Sequence, residues 1–165
     1  LFMKPSEDGS SIDIYKISNN DEFISARMSC INKSREFIFE EEIKGKEYTL
    51  TIINNKCFPP IEIQTNNDFY DYDAKYISNE TILAEAKLSD KELDLMNKIS
   101  LKAYKALNCS GWARVDILGD DDGNLYVLEI NTVPGMTSHS CVPKSGSFVG
   151  LSYSDVVTKI ISSNV

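Results

Sequence analysis

Two short segments in the last third of the chain carry oxygen ligands of the kind that hard metal ions bind. GWARVDIL contains Asp116, and YVLEIN contains Glu129 and Asn131. Both segments alternate in the manner of strands, and the intervening GDDDG favours a hairpin turn. In an antiparallel hairpin of this length, Asp116 lies opposite the stretch that ends at Glu129. Two carboxylates and an amide are therefore predicted to converge on one face.

Such a cluster indicates a magnesium site. Burying two negative charges side by side is costly unless a cation neutralises them, and hard oxygen ligands suit magnesium better than zinc. Because magnesium commonly completes its coordination with substrate phosphates, a nucleotide is the expected companion. The alternative is that Asp116 and Glu129 are solvent-facing residues of an exposed hairpin. An EF-hand is excluded, since Asp120 to Gly123 lacks the alternating ligands and the distal glutamate.

Composition limits the class of protein. The 165 residues are 42% hydrophobic, which predicts one globular domain with a real core. The net charge is -8 and the basic residues are scattered, so a nucleic-acid partner is disfavoured. No apolar run is long enough to span a membrane and no signal peptide is recognisable, so we expect a cytoplasmic protein. The strand-like start without an initiator Met suggests a portion of a longer protein.

The cysteines do not form a metal motif. Four of them occur far apart, with no C-x-x-C pair, and His139 is the only histidine. A thiolate zinc site is improbable on this spacing, and reduced thiols are expected.

The first half of the chain reads as a small β-α unit followed by strands. A strand is predicted over Ser11 to Ile17, and Ser18 with Asp21 is expected to cap a helix. The inner side of that helix is predicted to carry Phe23, Ile24, Ala26, Met28 and Ile31. Residues 36 to 63 are expected to form an antiparallel meander, and residues 64 to 87 a long functional loop around FYDYDAKYIS.

The second half has clearer signals. Ser89 and Glu92 form a capping box before a helix that ends near Asn108. The two hairpin strands follow. Residues 132 to 150 are rich in Gly, Ser and Pro and read as irregular, and a last helix is predicted to start at Ser152 with Asp155 as its capping partner.

Four segments of the chain together carry a resemblance to a known family. KPSEDGSS, FYDYDAKYIS, GWARVDIL and LEINTVPGMTSHS occur in the order found in one family, and together the chain resembles the ATP-grasp portion of D-alanine–D-alanine ligase from Lys4 to the final helix. The resemblance implies an α+β ATP-grasp fold, with antiparallel sheets and packed helices. It also implies that residues 1–165 are the C-terminal ATP-grasp portion, with the N-terminal domain and the start of the ATP-grasp region outside this chain.

The resemblance assigns nucleotide and metal roles. Asp116, Glu129 and Asn131 would bind two magnesium ions, or manganese, that bridge the ATP phosphates. Lys4 would reach the phosphates, and the loop with Ser10 would close over them. Gly9 and Ser11 belong to the same loop as Ser10. Glu40, Ile43 and Glu47 would contact the adenine and the ribose. Taken singly, these residues also fit an exposed lysine, an ordinary turn and edge-strand charges.

Reaction roles follow in the same way. Lys75 would contact phosphate or the substrate carboxylate, and Tyr76 would join a hydrogen-bonded group with Ser10, although a tyrosine here also fits a simple loop anchor. Arg114 and the backbone amide of Gly135 would stabilise the tetrahedral intermediate, and Ser140 with Lys75 would hold the carboxylate of the second D-alanine.

The implied reaction is the ATP-dependent ligation of two D-alanines through an acylphosphate, for peptidoglycan precursor synthesis. The resemblance also implies a homodimer in the full-length protein and an inactive isolated fragment. Alternatives are a related ligase that takes D-lactate or D-serine second, a non-catalytic Mg-nucleotide-binding module, and a structural interaction fragment. Tyr76 favours D-alanine. Asp13 departs from the family, which usually has a glycine there, and this puts the local backbone geometry in question.

Overall fold

A computed structural model describes residues 1–7, 12–31, 34–64 and 81–163. The chain divides into two compact units. The first comprises Leu1–Ile43 with Thr65–Thr81, and the second comprises Lys44–Gln64 with Ile82–Val165. Within the described ranges, no helix is long and apolar enough to cross a membrane.

The described residues of the first unit form a three-stranded antiparallel sheet and one helix. The strand order is β2-β1-β3, with β1 at Phe2–Pro5, β2 at Tyr15–Lys16 and β3 at Phe37–Glu40. Helix α1 covers Asn20–Cys30 and packs on one face of this sheet, where Met3, Ile17, Ala26 and Cys30 form the core.

The start of α1 differs by one residue from the sequence prediction. The cap is Asn19, whose side chain accepts a 2.9 Å hydrogen bond from the Glu22 amide, while the Ser18 amide donates to the Glu22 carboxylate. Asparagine is as good an N-cap as serine, and it lies at the position that reaches the third helical amide. The predicted inner side is correct for Ala26 and partly for Phe23.

The prediction is wrong for three other residues that were expected on that inner side. Ile24, Met28 and Ile31 are half or more exposed in the described structure. The short three-stranded sheet covers only the stripe through Ala26 and Cys30, so the wider apolar face of α1 is not buried by it. The strand predicted from Ser11 to Ile17 is also shorter, since of residues 12–17, which the structure describes, only Tyr15–Lys16 form a strand.

The second unit is built on a six-stranded antiparallel sheet. Its strand order is β7-β6-β4-β8-β9, and β5 pairs with the end of β4. The strand bounds are β4 Gly45–Ile53, β5 Lys56–Cys57, β6 Ile61–Gln64, β7 Ile82–Glu85, β8 Trp112–Asp120 and β9 Leu125–Asn131. Strands β4 and β8 pair along their whole length and form the buried centre of the unit.

One face of this sheet packs on helix α2, Asp90–Ala106. Leu50 and Val115 on the strands meet Met96 and Tyr104 on the helix, and all four are essentially inaccessible to solvent. The helix begins at the capping box that the sequence predicts, in which the Ser89 side chain accepts from the Glu92 amide and Glu92 accepts from the Ser89 amide. Leu107, just past the helix, is exposed.

The other face carries two helices at one end. Helix α3 covers Cys141–Phe148 and helix α4 covers Tyr153–Ser162, and Val142 and Val156 pack together with Ile53 of β4. Gly146 lets the helices approach closely, because a Cβ there would come within 2.3 Å of Val156 Cγ2. The predicted capping box of Ser152 and Asp155 is present.

Three sequence predictions of elements are wrong. The predicted meander does not include β3, which pairs with β1 in the first unit rather than with β4. The predicted loop of residues 64–87 contains β7, a short edge strand on β6. The irregular region of residues 132–150 contains α3, in which Pro143 is tolerated because amides of the first helical turn need no partner within the helix.

Candidate functional site

The hairpin of β8 and β9 brings the predicted metal ligands together. Asp116 is the cross-strand partner of Glu129, and Arg114 is the partner of Asn131. The register shifts between Asp116 and Ile117, which marks a bulge beside the carboxylate cluster. Because cross-strand partners share a face, all four side chains project on the side of the sheet opposite α2.

Asp116 lies at the centre of the cluster. Asp116 is 5% exposed, and four donor atoms from three residues surround its carboxylate. Oδ1 accepts from Arg114 Nε at 2.9 Å and from Thr49 Oγ1 at 2.6 Å. Oδ2 accepts from Arg114 Nη2 at 2.7 Å and from Asn131 Nδ2 at 3.0 Å. A buried carboxylate with this many donors is held in one orientation.

Glu129 completes the cluster from the exposed side. Its Oε1 accepts from Asn131 Nδ2 at 3.2 Å, so the amide bridges the two carboxylates. The donor set of two carboxylates and one amide fits a hard divalent cation, since turning the Asn131 amide would present its oxygen instead. In the described part of the chain, no group of three or more His, Cys, Asp and Glu residues is arranged to hold a metal. Any protein-bound cation here therefore depends on the amide or on an outside ligand.

Arg114 is a fixed positive charge beside the cluster. Burial alone would lower the pKa of its guanidinium, but the hydrogen bonds and the charge of Asp116 outweigh burial and raise the pKa above its ordinary value. The fork of Nε and Nη2 grips both carboxylate oxygens, which fixes the guanidinium plane.

The segment after β9 holds Gly135 close to Ser140. A Cβ on Gly135 would lie 3.1 Å from Ser140 Oγ. That hydroxyl accepts a 3.0 Å hydrogen bond from the Thr137 amide and lies 3.0 Å from Thr137 Oγ1. Tyr153 of α4 donates to the Met136 carbonyl at 2.7 Å, so the segment is tied to the helices. Ser140 stands at the N-cap position of α3 without capping it through its side chain.

Cys141, the first residue of α3, links this segment to the cluster. Burial raises the pKa of its thiol to about 11, and the positive charge of Arg114 opposes that rise. The start of α3 therefore lies within electrostatic reach of Arg114. No sequence pattern predicts this neighbour, because α3 itself was not predicted.

Glu47 lies on β4, on the same face as the cluster. Its cross-strand partners are Leu118 on β8 and Ile63 on β6, and it is partly exposed. Ile43 precedes the strand and is partly buried. Neither residue hydrogen-bonds Asp116 in the described structure.

In the first unit, two residues to which the family resemblance assigns nucleotide contacts form an ion pair. Lys4 Nζ lies 2.7 Å from Glu40 Oε2, and both side chains project from the face of the sheet opposite α1. Asp13 takes a left-handed backbone conformation with φ +58, which a glycine adopts without strain and which aspartate tolerates better than most residues. Its carboxylate pairs with Arg35 and accepts from Tyr15 OH, so the departure from glycine keeps the backbone geometry.

The remaining predicted residues, Gly9, Ser10, Ser11, Lys75 and Tyr76, lie outside the described residues. Sequence reasoning also missed one residue at the centre of the cluster, Thr49. Its contact with Asp116 depends on the pairing of β4 with β8, which no local sequence pattern predicts.

Comparison with known proteins identifies the family. A family model described as D-ala D-ala ligase C-terminus matches residues 1–162. The chain belongs to the D-alanine–D-alanine ligase family. Its fold accordingly matches the ATP-grasp C-terminal domain of these ligases, and the predicted α+β architecture of antiparallel sheets with packed helices is confirmed. The described residues form four helices, one of which, α3, was not predicted.

Solved ligases superimpose closely on the chain. D-alanine–D-alanine ligase from Bacillus anthracis complexed with ATP is 36% identical, with a TM-score of 0.81, over 98% of this chain and 51% of the ligase. VanG D-Ala:D-Ser ligase from Enterococcus faecalis is 32% identical, with a TM-score of 0.85, over 99% of this chain and 49% of the ligase. The Coxiella burnetii D-alanine–D-alanine ligase is 27% identical, with a TM-score of 0.82, over 98% of this chain and 44% of the ligase. The chain thus spans about half the length of the ligases it matches.

Proposed function

We propose that the full-length protein containing this chain ligates two D-alanines to D-alanyl-D-alanine, with ATP and magnesium. The observation that carries the proposal is the cluster of Arg114, Asp116, Glu129 and Asn131 within a chain of this ligase family. A Bacillus anthracis relative has been solved with ATP, which supports a nucleotide as co-substrate.

In this proposal Asp116, Glu129 and Asn131 hold the cation. A bound magnesium ion supplies charge neutralisation at the phosphates and orients them for transfer. The γ-phosphoryl group passes from ATP to the carboxylate of the first D-alanine, giving an acylphosphate and ADP. The amine of the second D-alanine then attacks the acyl carbon, a proton leaves the amine, and phosphate departs as the peptide bond forms.

Arg114 and Gly135 serve the second step. The guanidinium and the backbone amide would donate to the negative oxygen that develops on the acyl carbon. The Ser140 hydroxyl, near Gly135, would contact the carboxylate of the second amino acid together with Lys75. Lys4, Glu40, Ile43 and Glu47 are proposed to bind the nucleotide, and Ser10 and Tyr76 to complete the reaction site.

The second candidate is a ligase that takes a different second substrate. The similarity to a D-Ala:D-Ser ligase, at 32% identity and with a TM-score of 0.85, favours D-serine as that substrate, and D-lactate belongs to the same class of alternative. A non-catalytic Mg-nucleotide module is disfavoured because it has no use for a fixed guanidinium beside the cluster.

Release of ADP tests these candidates in the full-length protein. ATP and magnesium are supplied with D-alanine alone, with D-alanine plus D-serine or D-lactate, with L-alanine, or with no amino acid, and products are resolved by mass spectrometry. We expect ADP release to require D-alanine and to fall at least about 100-fold in Asn131→Ala, a loss typical of a catalytic electrostatic contact. Asn124→Ala, in the turn of the same hairpin, is the matched control and should keep activity. Nucleotide hydrolysis that ignores every amino acid would contradict the ligase proposal.

A further inference from the structure

Thr49 is a buried polar residue in the middle of the second unit. It lies on β4, is 2% exposed, and is the cross-strand partner of Asp116 on β8. Burying a hydroxyl is costly unless it forms a hydrogen bond, so the Thr49 hydroxyl is expected to have a hydrogen-bond partner.

The Thr49 hydroxyl donates a hydrogen bond to the carboxylate of Asp116. Oγ1 donates to Asp116 Oδ1 at 2.6 Å, a length typical of a bond from a hydroxyl to an ionised carboxylate. The Val115 carbonyl oxygen lies 3.5 Å from Thr49 Oγ1 and is the weaker acceptor. Threonine has a restricted χ1 angle, and the ladder between β4 and β8 fixes its backbone, so the hydroxyl is aimed with little freedom.

Thr49 differs from the other donors to Asp116. Arg114 and Asn131 have roles of their own in the proposed function, toward the acyl oxygen and the cation. Thr49 is too buried to contact a substrate, and it comes from the strand on the opposite side of β8 from β9. It is therefore the one donor among the three whose contact serves only the carboxylate.

We propose that Thr49 is a positioning residue for the metal site: its hydroxyl holds the Asp116 carboxylate in the orientation that a divalent cation and nucleotide require. The inference rests on the proposed function. Removing a hydrogen bond to a metal-binding carboxylate typically costs 10- to 100-fold in metal affinity or activity, and we expect the lower end because Arg114 still grips the same carboxylate.

Calorimetry of ATP binding to the full-length protein tests this. The dissociation constant is measured in EDTA and in saturating magnesium, and the ratio of the two reports how strongly the cation supports the nucleotide. In Thr49→Val, which keeps shape but lacks the hydroxyl, we expect the ratio to fall by about 10-fold with the EDTA value unchanged. Thr49→Ser should restore the ratio to within about 3-fold of the wild-type value.

Thr51 provides a matched control. It lies two residues further on β4, on the same face, is also 2% exposed, and pairs with Arg114 across the ladder without a hydrogen bond to Asp116 in the described structure. Thr51→Val should leave the ratio unchanged. If Thr49→Val does not fold, as judged by a thermal melt, Thr49→Ala takes its place with the same expected fall in the ratio, and Thr49→Ser remains the variant that keeps the hydroxyl.

The outcomes separate two failures. A wild-type ratio near one contradicts the proposed metal role and this inference with it. A large wild-type ratio that Thr49→Val retains overturns the inference alone. Equal losses in Thr49→Val, Thr49→Ser and Thr51→Val would show a packing effect and also overturn it.

Discussion

The charge on Asp116 is held by neighbours from three strands. Arg114 lies on its own strand, Asn131 on β9 and Thr49 on β4, and the cation proposed above would join a carboxylate already fixed in position. A group fixed in this way loses little entropy when it binds a ligand, which favours binding. Glu129 is exposed, and within the described ranges its carboxylate accepts one hydrogen bond, from the Asn131 amide.

This contrast predicts different costs for two similar changes. Asp116→Asn leaves the largely buried Arg114 guanidinium without the charge of its ion-pair partner, and we expect a loss of about 2–4 kcal/mol in the free energy of unfolding. Glu129→Gln changes an exposed side chain, and we expect a loss below about 0.5 kcal/mol. Urea denaturation of both variants measures the difference. Equal stability losses would contradict the assignment of Asp116 as the buried anchor.

At the level of elements, the two capping boxes tie helix starts to pH. The Ser89 hydroxyl and backbone amide lower the pKa of Glu92 below its usual value of 4.5. The Ser152 hydroxyl and backbone amide likewise lower the pKa of Asp155, on α4, below the usual value of an aspartate. A carboxylate with a lowered pKa in the folded state stabilises the fold above its unfolded pKa. That contribution is lost as the pH falls through the folded pKa.

Glu92→Gln tests this for α2, because glutamine keeps the capping geometry but does not titrate. We expect the wild type to melt about 1–3 °C higher than the variant at pH 6–7, with the gap closing as the pH falls below 4. Asp155→Asn is the counterpart on α4. A gap that does not depend on pH would show that the charge of Glu92 contributes nothing.

Strand β4 begins at a backbone position that only glycine fits. Gly45 has φ +144, and a Cβ there would lie 2.0 Å from the Gly119 carbonyl oxygen on β8. Gly123, in the hairpin turn, has φ +83 but no atom within 4 Å of a Cβ. Gly123→Ala should cost about 1 kcal/mol from backbone strain, and Gly45→Ala at least about twice as much, because the β4–β8 ladder must also shift. Chemical denaturation compares them, and equal losses would exclude the clash.

Local signals explain which elements could be predicted. The hairpin of β8 and β9, the helix start at Ser89 and the helix start at Ser152 each depend on residues within one short segment, and all three were predicted correctly. The pairing of β3 with β1 joins residues more than 30 positions apart, and no local pattern distinguishes it from pairing with β4. Helix α3 has a Gly-, Ser- and Pro-containing sequence whose helical state depends on packing of Val142 against Ile53 and Val156.

The candidate site follows the same division. Asp116, Glu129 and Asn131 could be placed together from the hairpin alone. Thr49 could not, because its contact with Asp116 spans 67 residues and needs the β4–β8 register. The assignments of Lys4 and Glu40 came from the family resemblance, and their 2.7 Å ion pair is a contact that the sequence did not predict.

At the scale of the whole chain, the net charge and the proposed nucleotide have the same sign. The chain carries a net charge of -8, and ATP is itself strongly anionic, so long-range electrostatics would oppose their association. Under the proposed function, nucleotide binding would then rely on short-range contacts with local cations such as Arg114 and with a divalent ion at the carboxylates. The proposed dependence on magnesium would therefore follow from the net charge of the chain as well as from the three ligands.

The share of the ligases that this chain covers leads to the last prediction. The chain matches about half of each solved ligase, so it holds only part of the residues that the proposed reaction would use. We therefore expect the isolated 165-residue chain to form no detectable D-alanyl-D-alanine under conditions in which the full-length protein does. Product is measured by mass spectrometry, and a cooperative thermal melt of the isolated chain excludes unfolding as the cause. Dipeptide formation by the isolated chain would show that residues 1–165 hold every group that the reaction requires.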